Sequence, residues 1–321
     1  MLIQKSSPPV IPPVFFADRS DRGRLTLTGR DRQSFLQGMV TNDVHRLAPG
    51  SGCYTFLLDS TGHILADARV LVQGEYLLLD VEPETAPFVR ETLDRYLIME
   101  RVEIADVTAD FGQVQVSGRE AAALMEQLGW RASEYSEGSN TEVSLDGSPV
   151  VIASVSWTPF PDFMLYGLTD SLVAWLTAQG VPMADDTLLE GLRIEAGIPR
   201  FGVDMDARVL GPETGQQKRA ISYKKGCYIG QEIVARIDAR GRVNRGLGGF
   251  RLSTTELPDA ETPVLIDGKE VGRVTSAAIG PLTGEALAMG YIRREHSEPG
   301  TIVQIQGHDA VVAELPFVAT P

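Results

Sequence analysis

The sequence predicts an α+β fold of antiparallel sheets and helices, followed by a small all-β unit. Three observations predict it. Up to about residue 245, helical and strand-like segments mix without the regular strand–helix–strand alternation of a parallel sheet. From about Leu247 onward, short strand-like runs recur with no helical period, the pattern of a small barrel or sandwich. The chain has 321 residues, which at about 150 residues per domain suits two or three domains with cores that need no disulfide or metal.

Taken in order, residues 1–24 begin as a Pro-rich arm, and Leu25–Thr28 alternates like a strand. Asp31 is placed to cap a helix through Val40, with Phe35, Leu36, Met39 and Val40 on one face. Cys53–Leu58 and Ile64–Val72 read as strands around the Ser60-Thr61-Gly62 turn, and Gln73-Gly74 turns into Tyr76–Val81. Pro83 opens a helix to about Ile98 that buries Phe88, Val89, Leu93 and Leu97. Strands follow at Val102–Val107 and Gln113–Val116, then a helix at Arg119–Leu128 that Gly129 ends. Residues 133–141 read as a polar loop, and Asp146-Gly147 as a hairpin turn. Phe163–Leu168 is a strand, Ser171–Gln179 a helix stopped by Gly180, and Asp185–Ala196 a further helix. After a boundary near Gly241–Gly248, strands are expected at Leu247–Leu252, Pro263–Ile266, Val271–Ser276, Ala286–Ile292, Ile302–Ile305 and Ala310–Leu315.

Composition excludes several classes. Apolar residues make up 43% and charged residues 22%, which suits a globular chain. No apolar run nears 18 residues, so no transmembrane helix is expected. The N-terminus lacks the apolar core of a signal peptide, and the cytoplasm is the expected compartment. The two Cys and four His do not sit at zinc-ligand spacing, and two thiols cannot alone hold an iron–sulfur cluster. The net charge of −14 argues against general or direct nucleic-acid binding. With no oligomerisation signal, a monomer is expected.

That charge is uneven. Residues 218–245 carry eight cations and two acids, a net of +6, whereas residues 1–217 are −15 and residues 246–321 are −5. Such an island suits a small polyanion, and equally suits a solvated face paired with acids elsewhere. Within it lies Lys224-Lys225-Gly226-Cys227-Tyr228-Ile229-Gly230-Gln231-Glu232. Gly226 and Gly230 let the backbone turn tightly. A helix starting near Ile229, together with the two lysines, would favour thiolate at Cys227, making it a candidate reactive cysteine. An inert cysteine at a helix start fits the same pattern. Gln231 and Glu232 can hydrogen-bond the edge of a heterocycle. Cys53 reads as a small buried hydrophobe.

The Lys-Gly-Cys-Tyr-x-Gly-Gln-Glu run resembles the signature of the YgfZ-type folate-binding proteins, of the same superfamily as aminomethyltransferase, the glycine cleavage T-protein. The resemblance spans nearly the whole chain. It includes Gly29–Gly38 with Thr41–Val44, Asp59–Leu65, Arg193–Pro199 with Phe201-Gly202, and, in the C-terminal part, Gly272–Ser276, Ala288–Tyr291, Pro299–Thr301 and Pro316-Phe317. It implies a T-protein-like fold of two interleaved α+β units closed into a ring by a C-terminal β-barrel. We assign residues 1–50 and 140–240 to a folate-channel body, 51–139 to the second unit and 241–321 to the barrel. It also implies tetrahydrofolate or a related folate in the central channel. The implied role is support of iron–sulfur enzymes or their assembly proteins, tRNA-modifying enzymes among them.

A reduced folate needs an apolar slot, polar groups for the pterin edge and cations for its carboxylates. The expected tail cations are Arg236, Arg240 and Arg242. Lys225, Gly226, Tyr228, Gly230, Gln231 and Glu232 are expected beside the ligand. The chain departs from T-proteins where these place a pterin-gripping Glu, because Phe160–Tyr166 has only Asp162 nearby. Paired acids in T-proteins are reduced here to Ala66-Asp67, and T-proteins lack a cysteine at Cys227. Glu195 is an alternative pterin anchor, or a structural carboxylate paired with Arg193. Cys227 and Asp67 are the candidate catalytic residues. The alternatives to the accessory role are a tetrahydrofolate-dependent aminomethyl or methyl transferase with Asp67 as its acid, and a non-catalytic protein-docking module.

Overall fold

In chain order, the computed structural model has strands β1 (Phe15–Asp18) and β2 (Gly23–Thr28), helix α1 (Arg32–Met39), strands β3 (Gly52–Leu58), β4 (Ile64–Val72) and β5 (Leu77–Val81), and helix α2 (Ala86–Asp94). Strands β6 (Glu103–Asp106) and β7 (Gly112–Ser117), helix α3 (Ala121–Gln127), strands β8 (Asn140–Leu145), β9 (Ser148–Val155) and β10 (Asp162–Gly167), and helices α4 (Thr169–Ala178) and α5 (Asp186–Glu195) follow. The short helix α6 (Gln217–Ala220) and helix α7 (Gln231–Arg240) lead to strands β11 (Arg245–Leu252), β12 (Pro263–Ile266), β13 (Lys269–Ile279), β14 (Ala286–Arg293), β15 (Ile302–Ile305) and β16 (His308–Ala313). The structure describes residues 10–131 and 136–319. The start of the Pro-rich arm and residues 133–135 of the expected loop lie outside them.

The α+β architecture with antiparallel sheets is as expected. Strands β1-β7-β10-β9-β8 form one sheet and β3-β4-β5-β2-β6 a second, while β11-β14-β13-β12-β15-β16 close into a barrel. The strand pairings within all three are antiparallel.

The two sheets stack face to face. Alternation along each strand decides which side a residue takes. On β5, Leu77, Leu79 and Val81 meet α1 and α2 through Phe35, Leu36, Val89 and Leu93. Leu78 points the other way and joins Leu71 of β4 against Val151, Ala153, Met164 and Tyr166 of the other sheet. Helices α3 and α4 cover that sheet's outer face through Leu124, Met125, Leu172 and Leu176. The layers therefore run helix, sheet, sheet, helix. Because both faces of each sheet are covered, β4 and β5 read as apolar runs and do not alternate cleanly.

Turn chemistry is local and legible. Asp146-Gly147, Asp267-Gly268 and Gln306-Gly307 each adopt two successive positive φ angles, as two-residue hairpin turns require. Asp185 caps α5 by accepting from the Leu188 N–H at 2.8 Å. Asp31 is the N-cap of α1, but its carboxylate accepts from the Arg101 N–H at 2.8 Å instead of capping its own helix.

Four expectations are corrected. Phe15–Asp18 is strand, not arm, because β7 lends it a full ladder from Phe15↔Ser117 to Asp18↔Val114. Helix α2 begins at Ala86 and ends at Asp94, since Glu84 has φ +64°. Phe88 points outward at 41% exposure. The expected loop gives way to strand at Asn140, where β8 pairs with β9. Residues 23–106 supply the strands of one sheet, and β1, β7, β8, β9 and β10 those of the other.

Candidate functional site

Between the sheets the apolar packing is interrupted by charge. Asp67 and Arg69 on β4 share the inward face with Leu71, and Asp80 on β5 shares it with Leu78. All three charged residues are buried. Asp80 is saturated. Its Oδ1 accepts from Arg22 Nε at 2.6 Å, and its Oδ2 accepts from Tyr166 Oη at 3.0 Å and Gln113 Nε2 at 3.2 Å. Arg69 Nη1 stands 3.7 Å from the same oxygen. Arg22 also donates to Glu82, which accepts from Arg200 Nη2 at 3.1 Å on its other oxygen. Two guanidiniums approach the Trp157 indole, Arg69 at 4.5 Å and Arg22 at 5.3 Å from its ring centre.

Asp67 is the odd member. Its Oδ2 accepts from the Tyr54 hydroxyl at 2.7 Å, but its buried Oδ1 has no partner. Arg69 Nε and Trp157 Nε1 are likewise buried and unpartnered. A buried polar atom without a partner costs about 1–3 kcal/mol. Of these three residues only Trp157 reaches the adjoining cavity. Burial, and after it the Glu82 charge, pushes the Asp67 carboxyl above the usual carboxylate range, against the pull of Tyr54, Arg22 and Arg69. Burial opposes ionisation of Glu82 too, but Arg22 and Arg200 hold it below its ordinary value.

The wall formed by Arg22, Glu82 and Trp157 opens onto a cavity of about 380 Å³. Arg19 and Asp21, Gln115 of β7, Thr158, and Asp186, Leu189, Glu190 and Arg193 of α5 complete it with Arg200. Its size lies within the range of small-molecule sites. Arg19 forms no ion pair there and spends its Nε on Gln115 at 3.0 Å. Burial first, then Arg22 and Arg200, lowers its pKa, against Asp21 and Glu82.

The other expected residues separate from this centre. Arg193 lines the cavity but is held by Asp204 at 2.7 Å and by Glu190, not by Glu195. Glu195 is fully buried and accepts from the Leu282 and Thr283 N–H groups and the Thr283 hydroxyl. It ties α5 to the β13–β14 loop, its Oε1 collecting three donors and its Oε2 sharing the Leu282 N–H at 3.1 Å. Asp162 is also saturated, by Gln115, Ser117 and the Trp157 and Thr158 N–H groups. It braces the loop that presents Trp157.

The cysteine segment packs along the edge strand β3: Tyr228 joins Tyr54, Phe56 and Leu58 on the face that carries Asp67 and Arg69, and Ile229 joins the apolar cluster on the opposite face. Lys225 is buried and gives its ammonium protons to the carbonyls of Gln37, Val40 and Asn42, at 2.6, 2.5 and 2.8 Å, where α1 ends. It therefore steadies the loop. Tyr228 is buried under it. Gly230 is the N-cap of α7, and the Ile229 N–H bonds to the Gly38 carbonyl at 3.3 Å. Cys227 and Glu232 are exposed, Gly226 is exposed, and Gln231 is half-buried. None of residues 224–232 lines the cavity. Arg236, Arg240 and Arg242 line a different depression on the far side of α7. The cationic island is thus dispersed: Arg219 pairs with Glu137, Arg245 with Glu213, and Lys225 with backbone.

Sequence reasoning missed Arg19, Arg22, Arg69, Asp80, Glu82, Trp157 and Arg200. A signal existed for some of them: charges at Asp67, Arg69 and Asp80 inside otherwise apolar strand runs must be buried with partners. Among the described residues, no group of three His, Cys, Asp or Glu would hold a metal, and no helix is long and apolar enough to cross a membrane.

The family described as the GCVT N-terminal domain matches residues 9–225, and the one described as the glycine cleavage T-protein C-terminal barrel domain matches residues 245–319. An Arabidopsis thaliana protein named "Putative transferase At1g60990, chloroplastic" is 29% identical over 315 residues, covering 95% of this chain and 72% of that one. An aminomethyltransferase of Synechococcus sp. (strain RCC307) is 29% identical over 309 residues, covering 94% of this chain and 86% of its own. The crystal structure of glycine cleavage system aminomethyltransferase T from Bartonella henselae superposes with a TM-score of 0.86 at 20% identity, over 96% of this chain and 87% of that one. At that identity the likeness is one of fold.

Proposed function

The chain belongs to the glycine cleavage T-protein family, and from that premise we propose that it is a YgfZ-type member that binds tetrahydrofolate or a related folate. Its role on this reading is to support the assembly or maintenance of iron–sulfur enzymes, tRNA-modifying ones included, in the cytoplasm. The observation that carries the folate reading is the Asp67 carboxyl, buried with one oxygen unpartnered beside the equally unpartnered Arg69 Nε and Trp157 Nε1. A pterin edge offers both donors and acceptors, which is what that mixed set lacks. Arg19, free of an ion pair in the adjoining cavity, would take a carboxylate of the tail.

A bound reduced folate would supply a one-carbon carrier. The chain's own residues would do the rest. Tyr54 fixes the orientation of Asp67, Trp157 offers an indole N–H, and Arg22 and Arg200 hold Glu82 ionised. Cys227 stands apart, exposed on a loop that Lys225 anchors, and is placed to meet a partner macromolecule. Both thiols are free, as a reducing compartment requires.

Calorimetric titration with tetrahydrofolate tests the ligand. Binding at about micromolar strength, weakened at least about tenfold in Asp67→Asn, is expected. No binding up to about millimolar concentration would overturn the reading. For the iron–sulfur role, Cys227→Ala should fail to restore iron–sulfur enzyme activity in cells lacking the protein. Full restoration would remove the cysteine from it.

One observation favours a second reading, a tetrahydrofolate-dependent aminomethyl or methyl transferase. Asp67 is pushed toward its protonated form by burial, as a general acid needs. Turnover of an aminomethyl donor that disappears in Asp67→Asn would support it, and no turnover across candidate amines would exclude it.

A further inference from the structure

Five arginines converge on the seam between α7 and the barrel. Arg236 and Arg240 lie one turn apart on α7, Arg242 follows in the link, Arg293 ends β14 and Arg294 opens the short 3-10 turn after it. All five are exposed. Among the described residues none has a side-chain hydrogen bond or ion pair, although the chain carries 43 acids.

They line two depressions that run together. One, of about 500 Å³, holds Arg236, Arg240 and Arg242 over a floor of Ile233, Ile237 and Leu210. The other, of about 970 Å³, holds Arg242, Arg293 and Arg294 with Arg245. Glu213, Arg242, Val243 and Asn244 belong to both, so the two form one trough.

The arrangement works against stability. Arg245 and Arg293 are direct cross-strand partners in the β11–β14 ladder, where like charges repel. Glu213 compensates Arg245 at 3.2 Å, but no acid compensates Arg293. Arg236 and Arg240 are a like-charged pair four residues apart on a helix, which is also unfavourable. Concentrating unpaired guanidiniums in a concave place is what binding an anion would reward. The planar fork suits carboxylate and phosphate alike.

We propose that this trough is a binding site for a small polyanion, a molecule carrying at least two clustered phosphate or carboxylate groups. The trough shares no lining residue with the cavity beside Trp157, so the site is separate from the folate site proposed above. Its limited extent selects a small ligand. Glu295 and Glu298 line it as well, and the rest of the chain is strongly acidic, so a long polyanion such as nucleic acid would be repelled beyond the guanidiniums.

The test uses the full chain with sodium tripolyphosphate and with citrate, by calorimetry and thermal melting. These two probes separate a phosphate source from a carboxylate source. At low salt at least one should bind with a Kd below about 100 µM, raise the melting temperature, and weaken at about 0.3 M salt. The Arg240→Gln/Arg242→Gln double variant and, separately, Arg293→Gln should each bind at least about tenfold more weakly. Without ligand, each variant should melt no lower than the parent, because like-charge repulsion is relieved. A residue with only a structural role would lower it. Binding should persist with tetrahydrofolate present. Absence of binding by both probes up to about 5 mM, unchanged affinity in both variants, or tighter binding of a single-stranded oligonucleotide of equal charge would each overturn the proposal.

Discussion

At the scale of the residue, two buried charges behave oppositely. Lys225 has its three donors matched by three backbone carbonyls. Replacing it with Met removes those bonds without emptying the space. Lys225→Met should lower unfolding free energy by about 2–3 kcal/mol, measured by denaturant titration. Asp67 is under-matched, and its pKa is raised. The folded state therefore holds its proton at pH values where the unfolded chain has released it. Stability from this group is full below the ordinary carboxylate range and declines as pH rises through the folded pKa. Asn keeps the acceptor for Tyr54 and carries no charge. Asp67→Asn should thus raise the melting temperature at pH 7, with the gain vanishing toward pH 3.5, even as ligand binding weakens. A lower melting temperature at pH 7 would show that the charge is already satisfied. Within the sequence Asp67 stood out as the one acid kept after the Gly62 turn. Its partner Tyr54 did not, because their meeting depends on the β3–β4 register, and neither did Trp157, which the stacking of the two sheets brings onto Arg69.

At the scale of the element, the cysteine segment is a brace between α1 and α7. Gly230 has φ +81°, and a Cβ there would sit 2.5 Å from the Asp59 carbonyl oxygen. Gly226 has open space and no such φ. Gly230→Ala should cost about 2 kcal/mol or more, while Gly226→Ala should stay within about 0.5 kcal/mol. Equal costs would mean that the loop is not held as described. The helix after Cys227 was legible from Gly230 and the residues that follow. The role of Lys225 was not: charge next to a thiol suggests activation, but a four-carbon stem can as readily turn inward to a helix end. The same held for α2, whose apolar spacing placed Phe88 inside although the helix turns it out.

At the scale of the whole molecule, the barrel is docked on α5 by Glu195. Its carboxylate collects three donors from residues 282 and 283, and its own carbonyl accepts from the Phe317 N–H at 2.9 Å. Glu195→Ala leaves buried donors unpaired and should cost about 3 kcal/mol. Limited proteolysis within residues 241–248 should then become faster, as the barrel loosens from the body. Unchanged cleavage would assign the docking to the apolar contacts of Ile194 with Leu287 and Met289 instead.

By itself the sequence determined what local chemistry can dictate. The antiparallel α+β class, the hairpin turns at Asp146-Gly147, Asp267-Gly268 and Gln306-Gly307, the strand character of the last third and family membership all follow from patterns a few residues long, or from runs that keep their spacing. Tertiary structure alone decided which charges are free. The +6 island reads as one patch along the chain, yet folding sends Lys225 to α1, Arg219 to Glu137 and Arg245 to Glu213, and leaves Arg236, Arg240 and Arg242 to join Arg293 and Arg294 from the barrel. Charge is a property of residues, but its availability is a property of neighbours, and those neighbours are brought together from distant parts of the chain only when sheets, helices and barrel pack.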